Sequence, residues 1–567
     1  MKRHTLVPHV LLYCLVELLM LLTPTVEESV QPLRVQPSKA PKPFTRQISP
    51  TYSPTLSAAF TAIILVSGVS LGHGLSWVFP GWYACAWIGQ ACLVLLAARH
   101  TPRTAFWLGL TVGVLVNGLG FHWAPQALGI CMDASWWVAH LLFGLLILWE
   151  GVAFAVFSWL ASRALQAGPR GLWLVSAAWV VTEHWWPKIF PWLLGYSQLE
   201  LIPLLQIAEL TGPCGIGFCI TAIAAWPAGY YLCHTRQLDA TYSRGFRTYV
   251  AATTLLLICV LSFGFVRMRT WGDAVPGAHT LQIGVAQVNI GHMGSETKLI
   301  NMTKSIADDV DLVCWPESAI GTYQADLTDF RDQDRTLEYS RRSHDWLHPT
   351  ANCRCEVLAG GKTYGQDAAE EGPYSMTAFL INPQESILGT YHKRTLLPFG
   401  EYMPGEQYLP VLHEWATLNE TIKAGESAAP IVTAKGDKLG VVICYEDLVR
   451  ANVRETVLAG GQVLISLIND SAFENPLTLE QHKRLALLRA VEHRRYLVRC
   501  AGTGVTCIVD PTGRILEQLA IGDEGMIVRQ VKLSDYQTFY TRFGEWFPVT
   551  CALACAGGLV FLRPARS

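Results

Sequence analysis

Charge is what this sequence has least of. Only 16% of its 567 residues are Asp, Glu, Lys or Arg, against about 25% in soluble globular chains. The shortage is local: residues 55–266 hold 14 of the 88 charged side chains, and the other 74 belong to the remaining 355 residues. One part of the chain suits lipid and another suits water, which excludes a purely soluble protein. A net charge of −2 leaves no basic surplus for nucleic acid, so no such partner is expected. Paired CxxC motifs are also lacking. Of the 16 cysteines, Cys85, Cys92, Cys214, Cys219, Cys259, Cys551 and Cys555 lie inside apolar runs, where a thiol behaves as a small hydrophobe. Cys353-Arg354-Cys355 has no matching ligands nearby in sequence, so no metal site is expected, and a disulfide among the aqueous cysteines stays unassigned.

What is abundant is apolar sequence. A bilayer-crossing helix needs about 20 mostly apolar residues, because lipid offers no partner to an open backbone amide. Runs at 56–72, 77–98, 105–123, 136–160, 172–186, 201–233 and 249–266 give a membrane domain of seven spans over 55–266, and an eighth span is expected at 547–562. The 172–186 run is short, and 201–233 is broken by Gly212-Pro213. Arg and Lys recur in alternate connections: Arg34, Lys39, Lys42 and Arg46; Arg99 and Arg103; Arg163 and Arg170; Arg236, Arg244 and Arg247; Arg563 and Arg566. The positive-inside rule puts these in the cytoplasm and the large polar segment, 275–545, on the outer face. Residues 1–54 read as an extension and disordered linker, rich in Pro, Ser and Thr after a short apolar start. Near the outer face, Glu183, His184, Lys188 and the stretch from Phe190 to Gln198 are too polar for a plain anchor and suggest a functional cavity.

From Thr280 the pattern changes to short β-branched runs alternating with helical stretches. Strands are expected at 281–288, 310–315, 356–360, 376–381, 438–444, 463–468, 498–501, 505–509 and 526–531. Helices are expected at 296–308, 336–346, 448–459 and 477–496. Continuous apolar strands imply sheets buried on both faces, hence a layered α/β domain. The 477–496 helix carries Lys483, Arg484, Arg489, Arg494 and Arg495, which read as a solvated face, with a phospholipid-headgroup role as the alternative.

Three strand ends hold reactive residues. Trp315-Pro316-Glu317 places a carboxylate after a buried strand and a proline turn, where desolvation makes it a better proton acceptor. Lys393, in the stretch leading to Pro398-Phe399-Gly400-Glu401, offers a fixed cation for an oxyanion. Cys444, opening Cys444-Tyr445-Glu446 after an apolar strand, offers a thiolate. Taken singly, each has an ordinary reading as surface carboxylate, solvated cation or buried filler. The three in this order are specific, and the expectation is a sulfur anion flanked by a base and a positive charge.

These motifs resemble the Glu-Lys-Cys triad of the nitrilase (carbon–nitrogen hydrolase) superfamily. With seven spans before the domain and one after it, the chain resembles the apolipoprotein N-acyltransferase family within it. The likeness includes Phe190-Pro191-Trp192, Gln287, Asn469-Asp470, Gln481-His482 and Thr541-Arg542. It implies an αββα nitrilase-like fold beside the helical membrane domain. It also implies a bacterial inner membrane location, with the catalytic domain facing the periplasm. The implied reaction is acyl transfer from a phospholipid donor to the N-terminal amine of a diacylglyceryl apolipoprotein, through a thioester on Cys444, without cofactor or metal. Glu317 would be the base, Lys393 the oxyanion partner, and Glu401, Tyr445 and Glu446 would orient the site. Where the family usually has Ala-Trp-Phe-Gly after Asn-Asp, this chain has Ser471-Ala472-Phe473-Glu474. The competing expectation is a membrane-bound amidase or nitrilase that hydrolyses a C–N bond with the same triad.

Overall fold

A computed structural model describes residues 54–561 except 133, 236–239, 273–278, 291–294, 321, 325–349, 351–352, 365–372, 407, 409–421, 472 and 474. Residues 1–53 of the 1–54 extension and the helix expected at 336–346 lie outside the described residues.

Each apolar run is helical. Pro54–Val78, Trp136–Gln166 and Ala240–Gly272 are long, and Pro213–Ala224 continues into Trp226–Thr235. Four of these helices are long and apolar enough to cross a bilayer, and Pro102–Gly120 with Ala124–Ile130, bent by 62°, makes a fifth if counted as one span. Ala84–Arg99, Gly171–Trp185 and Trp546–Phe561 have 16, 15 and 16 residues. At 1.5 Å per residue these reach ~24 Å, short of the ~30 Å hydrocarbon core. The 201–233 run is not one helix: Gly212 takes φ +63°, and two four-residue helical turns, Ile202–Leu205 and Ala208–Thr211, precede it. The described basic connections, near Arg99, Arg163 and Arg244, share one end of the bundle. His100 O accepts from Ser162 Oγ at 2.8 Å, and the Arg99 guanidinium lies 4.6 Å over the Tyr231 ring.

The polar segment forms two sheets. In the first, β1 (Thr280–Gln287), β2 (Leu312–Cys314) and β4 (Glu356–Tyr364) run parallel. β13 (Gly525–Lys532) pairs antiparallel with β1, β5 (Tyr374–Ile381) with β4, and β6 (Ile387–His392) with β5, while β3 (Thr322–Gln324) pairs with β4. The second sheet has a parallel centre of β8 (Lys438–Ile443), β9 (Val463–Ile468) and β10 (Leu497–Ala501). It is flanked by β7 (Ile431–Val432), β11 (Cys507–Val509) and β12 (Ile515–Gln518). Ile283, Val285, Leu312 and Leu358 from one sheet meet Val441, Ile443, Ile465 and Val498 from the other in one fully buried core. Helix Ser295–Ile306 covers the outer face of the first sheet. Arg450–Leu458 and Pro476–His493 cover the second, and Leu485, Ala486 and Leu488 continue into the core of the helical bundle. The result is the expected αββα stack, with its last helix layer seated on membrane helices.

That seating corrects the reading of the basic helix. Its cations are not solvated but buried, and three of them, Arg484, Arg489 and Arg494, lie between the domains. Arg484 bonds Glu200 at 2.8 Å, Arg489 bonds Tyr196 Oη, and Arg494 bonds Glu209 at 2.5 Å and Gln206 at 2.7 Å. Lys483 pairs with Glu480 at 2.8 Å and Arg495 reaches the Gly461 carbonyl at 2.9 Å. A buried charge survives only when paired. Most of these partners are inter-domain, so the cations pin the two parts together and are not free for a headgroup.

Candidate active site

Parallel strands end together, so residues just past their carboxyl ends converge. Glu317 follows β2, Lys393 follows β6 and Cys444 follows β8. Of the five non-glycine residues with positive φ among the described ones, three sit on these loops: Ser318 (+59°), Phe399 (+64°) and Cys444 (+52°). Left-handed backbone costs energy in a side-chain-bearing residue, and its concentration here marks turns over-determined by their surroundings. Gly360 on β4 is required for one of them, because a Cβ there would lie 2.6 Å from Glu317 Cα.

Lys393 is fully buried between two carboxylates, with Nζ 2.5 Å from Glu401 Oε1 and 3.7 Å from Glu317 Oε1. Glu401 Oε2 accepts from Leu397 N at 2.7 Å, which fixes that carboxylate in its own turn. The other oxygen of Glu317 accepts from Asn469 N at 2.9 Å, and the Cys444 thiol lies in electrostatic reach of the same carboxylate. The sequence-predicted triad is therefore assembled.

Its electrostatics amend one expectation. Burial raises the Glu317 carboxyl to about 7, with Lys393 pulling the other way. Burial, and then the negative charge of Glu317, push the Cys444 thiol well above its ordinary range, with Lys393 only partly opposing. Burial disfavours charge on Lys393, but Glu317 and Glu401 outweigh it and hold the ammonium well above its ordinary value. At neutral pH the resting sulfur is thus a thiol, beside a Glu317 carboxyl that is about half ionised, and not a waiting sulfur anion. The proton must leave as the sulfur attacks.

Glu446 does not touch Lys393. Its Oε1 accepts from Arg394 N (2.6 Å) and Thr395 N (2.9 Å), and its Oε2 from Ile443 N (2.8 Å) and Tyr391 Oη (2.8 Å). One buried carboxylate thereby ties the backbone after Lys393 to the backbone before Cys444. Glu446→Gln turns an N–H₂ toward these donors, and a loss of about 2 kcal/mol is expected on unfolding in detergent, from buried donors left unpaired. Tyr445 donates to Ile189 O at 2.5 Å, joining the nucleophile's turn to the membrane domain.

A pocket opens beside Cys444. Its walls include Leu397, Tyr445, Leu448 and Phe473 from the α/β domain and Trp77, Phe121, Trp123 and Phe190 from the helical domain. The 62° bend after Gly120 carries Phe121 and Trp123 to this position. Gln481 secures the bend, accepting from Trp123 Nε1 at 2.9 Å and donating to Gly120 O at 2.9 Å. Phe473 meets Trp123 edge-on at 6.1 Å. The polar cluster expected near the outer face shapes this wall. Lys188 donates to Trp192 O at 2.9 Å, and Glu183 accepts from Leu194 N.

Among the described residues, His184, Cys214 and Glu545 bring possible metal-ligand atoms within 4.8 Å of one another. The Arg450 guanidinium fills that cluster, 3.0 Å from His184 Nδ1 and 2.9 Å from Glu545 Oε1, so it braces the domains. Gln287 and Thr541 are likewise structural. Gln287 bonds Ala520 O, Asp523 O and Thr506 N, and Thr541 bonds His493. Sequence reasoning missed Tyr391, Asp447 and Arg499. Asp447, the residue after Cys444-Tyr445-Glu446, accepts from Ser466 Oγ at 2.8 Å and from Arg499.

Comparison with known proteins identifies the family of both domains. Residues 282–540 match the carbon-nitrogen hydrolase family, and residues 57–226 match the apolipoprotein N-acyltransferase N-terminal domain. The apolipoprotein N-acyltransferase of Geobacter metallireducens is 30% identical over 512 residues, covering 88% of this chain and 95% of the relative. That of Pseudomonas putida is 28% identical over 498 residues, covering 84% and 92%. Among solved structures, the carbon-nitrogen hydrolase from Helicobacter pylori G27 covers 50% of this chain and 99% of its own at 16% identity, with a TM-score of 0.35. With both domains matched and a relative aligned over nearly its whole length, the chain belongs to the apolipoprotein N-acyltransferase family, acyltransferases built on a carbon–nitrogen hydrolase domain and apolar membrane-capable helices.

Proposed function

We propose that Glu317, Lys393 and Cys444 perform the transfer as a double displacement. Glu317 takes the thiol proton as Cys444 Sγ attacks the ester carbonyl of a membrane phospholipid. Lys393 and the backbone N–H of Tyr445 hold the oxyanion. The C–O bond breaks, Glu317 returns the proton to the departing lysophospholipid, and an acyl thioester remains. The neutral α-amine of a diacylglyceryl-cysteine then attacks the thioester. Glu317 accepts the amine's proton and passes it to the leaving sulfur, which restores the thiol and leaves an amide. Glu401 holds Lys393, Glu446 holds the two loops in register, and Tyr445 lines the acyl pocket.

The single observation that carries this reading is the apolar pocket shared by both domains, which opens on Cys444. Exposing an acyl chain to water costs about 0.8 kcal/mol per CH₂. A nucleophile at the mouth of a lipid-facing wall lets the chain remain in apolar surroundings throughout. The same logic supports the orientation. The α/β domain meets the helices near Trp77, Phe121 and Ile189, away from the Arg99 and Arg163 connections, and under the positive-inside rule this supports a place on the periplasmic side of a bacterial inner membrane.

Purified protein given labelled phospholipid and a diacylglyceryl peptide is expected to place the label on the peptide's N-terminal amine. Label released as free fatty acid, with none on the peptide, would instead support a hydrolase. The pH profile gives a second check. Glu317 must be ionised to accept the proton, and burial raises it to about 7. Thioester formation is therefore expected to fall as pH drops through about 7. Glu317→Gln is expected to slow it by about 10²–10⁴-fold and to remove that acid limb.

A further inference from the structure

His482 takes no part in the steps above, yet it lines the same pocket as Cys444. It lies on helix Pro476–His493, and both of its ring nitrogens face buried carboxylates. Nδ1 is 2.9 Å from Asp470 Oδ1, and Nε2 is 3.2 Å from Asp447 Oδ1. A neutral imidazole has one N–H to give; an acceptor at each nitrogen selects the doubly protonated ring. The surrounding charges agree. Asp447 has Arg499 and Ser466 on its other oxygen, while the second oxygen of Asp470 is buried without a partner among the described residues. Lys483, next along the helix, is occupied by Glu480 and Gln518. Burial opposes a charge on His482, but Asp470 and then Asp447 outweigh it and lift the ring to about 9.

The two carboxylates belong to the two arms of the site. Asp447 closes the helical turn that Cys444 opens. Asp470 follows Asn469, whose N–H holds Glu317 Oε2, and its carbonyl accepts from Phe473 N at 2.9 Å on the pocket wall. We propose that protonated His482 is a positioning residue for thioester formation: it ties the nucleophile's turn to the segment that holds the general base. The inference rests on the roles given above to Cys444 and Glu317.

The test is lysophospholipid release from labelled phospholipid, without acceptor, by variants whose melting curves match the wild type. His482→Phe fills the same wall but donates nothing. It is expected to be about 100-fold slower, the order of loss that a misplacement of about 1 Å produces, with KM almost unchanged. His482→Lys keeps a cation and is expected to recover most of that rate. The ring is charged below about 9 and loses its proton above it. The wild-type rate should therefore fall as pH rises through about 9, and the lysine variant should lack that fall. A phenylalanine variant at the wild-type rate would overturn the proposal. So would a wild-type profile flat through that pH, or a folded lysine variant as slow as the phenylalanine one. Cys444→Ala serves as the control: release that persists there strikes at the underlying assignment and not at His482.

Discussion

Cys444→Ala will carry no acyl adduct after incubation with labelled phospholipid, and its transfer rate will fall by ~10⁴-fold or more, the scale seen when a covalent nucleophile is removed. The argument rests on placement. Cys444 is half-buried just past the end of β8, with its thiol in electrostatic reach of Glu317, and no second cysteine lines the pocket among the described residues. Removing one sulfur from this spot leaves Glu317 still held by Lys393 and Asn469, so the fold should survive and the loss is chemical. Mass spectrometry of the intact protein reads the adduct, and chromatography of the lipid products reads lysophospholipid release. Cys444→Ser is also expected to lose most activity, because a carboxylate near 7 is a poor base for an alcohol. An alanine variant that transfers at the wild-type rate would rule out the thioester route.

The legible parts of this chain were those whose chemistry is local. β8 and β9 stand out in the sequence because Val441-Val442-Ile443 and Val463-Leu464-Ile465 are buried on both faces. Cys444 is easily placed because it ends such a run. β6 was not legible. Only Tyr391 in it is fully buried, its outer positions alternate toward solvent, and Gly389 weakens the pattern, yet it delivers Lys393. The work of Glu446 could not be read either, because its partners at Arg394 and Thr395 come from a loop about 50 residues earlier that only the tertiary fold brings near. The five cations from Lys483 to Arg495, on helix Pro476–His493 and just past it, look like a solvated stripe in sequence. Glu200 and Glu209, the anionic partners of Arg484 and Arg494, come from the membrane domain nearly 300 residues upstream. The pocket has the same cause: Trp123 and Phe473 meet only once one domain is seated on the other. Sequence thus exposes the reacting groups, while the scaffold that aims them is written in long-range pairings.

Lys393 poses the sharpest separation of chemistry from scaffold. Lys393→Met removes a fully buried cation from between Glu317 and Glu401, and leaving buried charge unpaired is expected to cost about 3–5 kcal/mol of stability. It also removes the group that holds the Glu317 carboxyl down, so Glu317 rises further and is largely protonated at neutral pH. A slow single variant would therefore not distinguish a lost oxyanion partner from a lost base or a loosened site. Adding Glu401→Gln makes that distinction. With Glu401 neutral, only Glu317 remains to be accommodated. Most of the stability should return, read as recovery of the unfolding midpoint in detergent. Thioester formation should remain about 10²–10³-fold below wild type even well above pH 7, where Glu317 is ionised again, because the preorganised positive charge at the oxyanion is still missing. If the stable double variant instead forms thioester within about tenfold of wild type, a factor worth only about 1.4 kcal/mol at the transition state, then Lys393 serves to hold the two carboxylates in place and the oxyanion must be stabilised by backbone N–H groups alone.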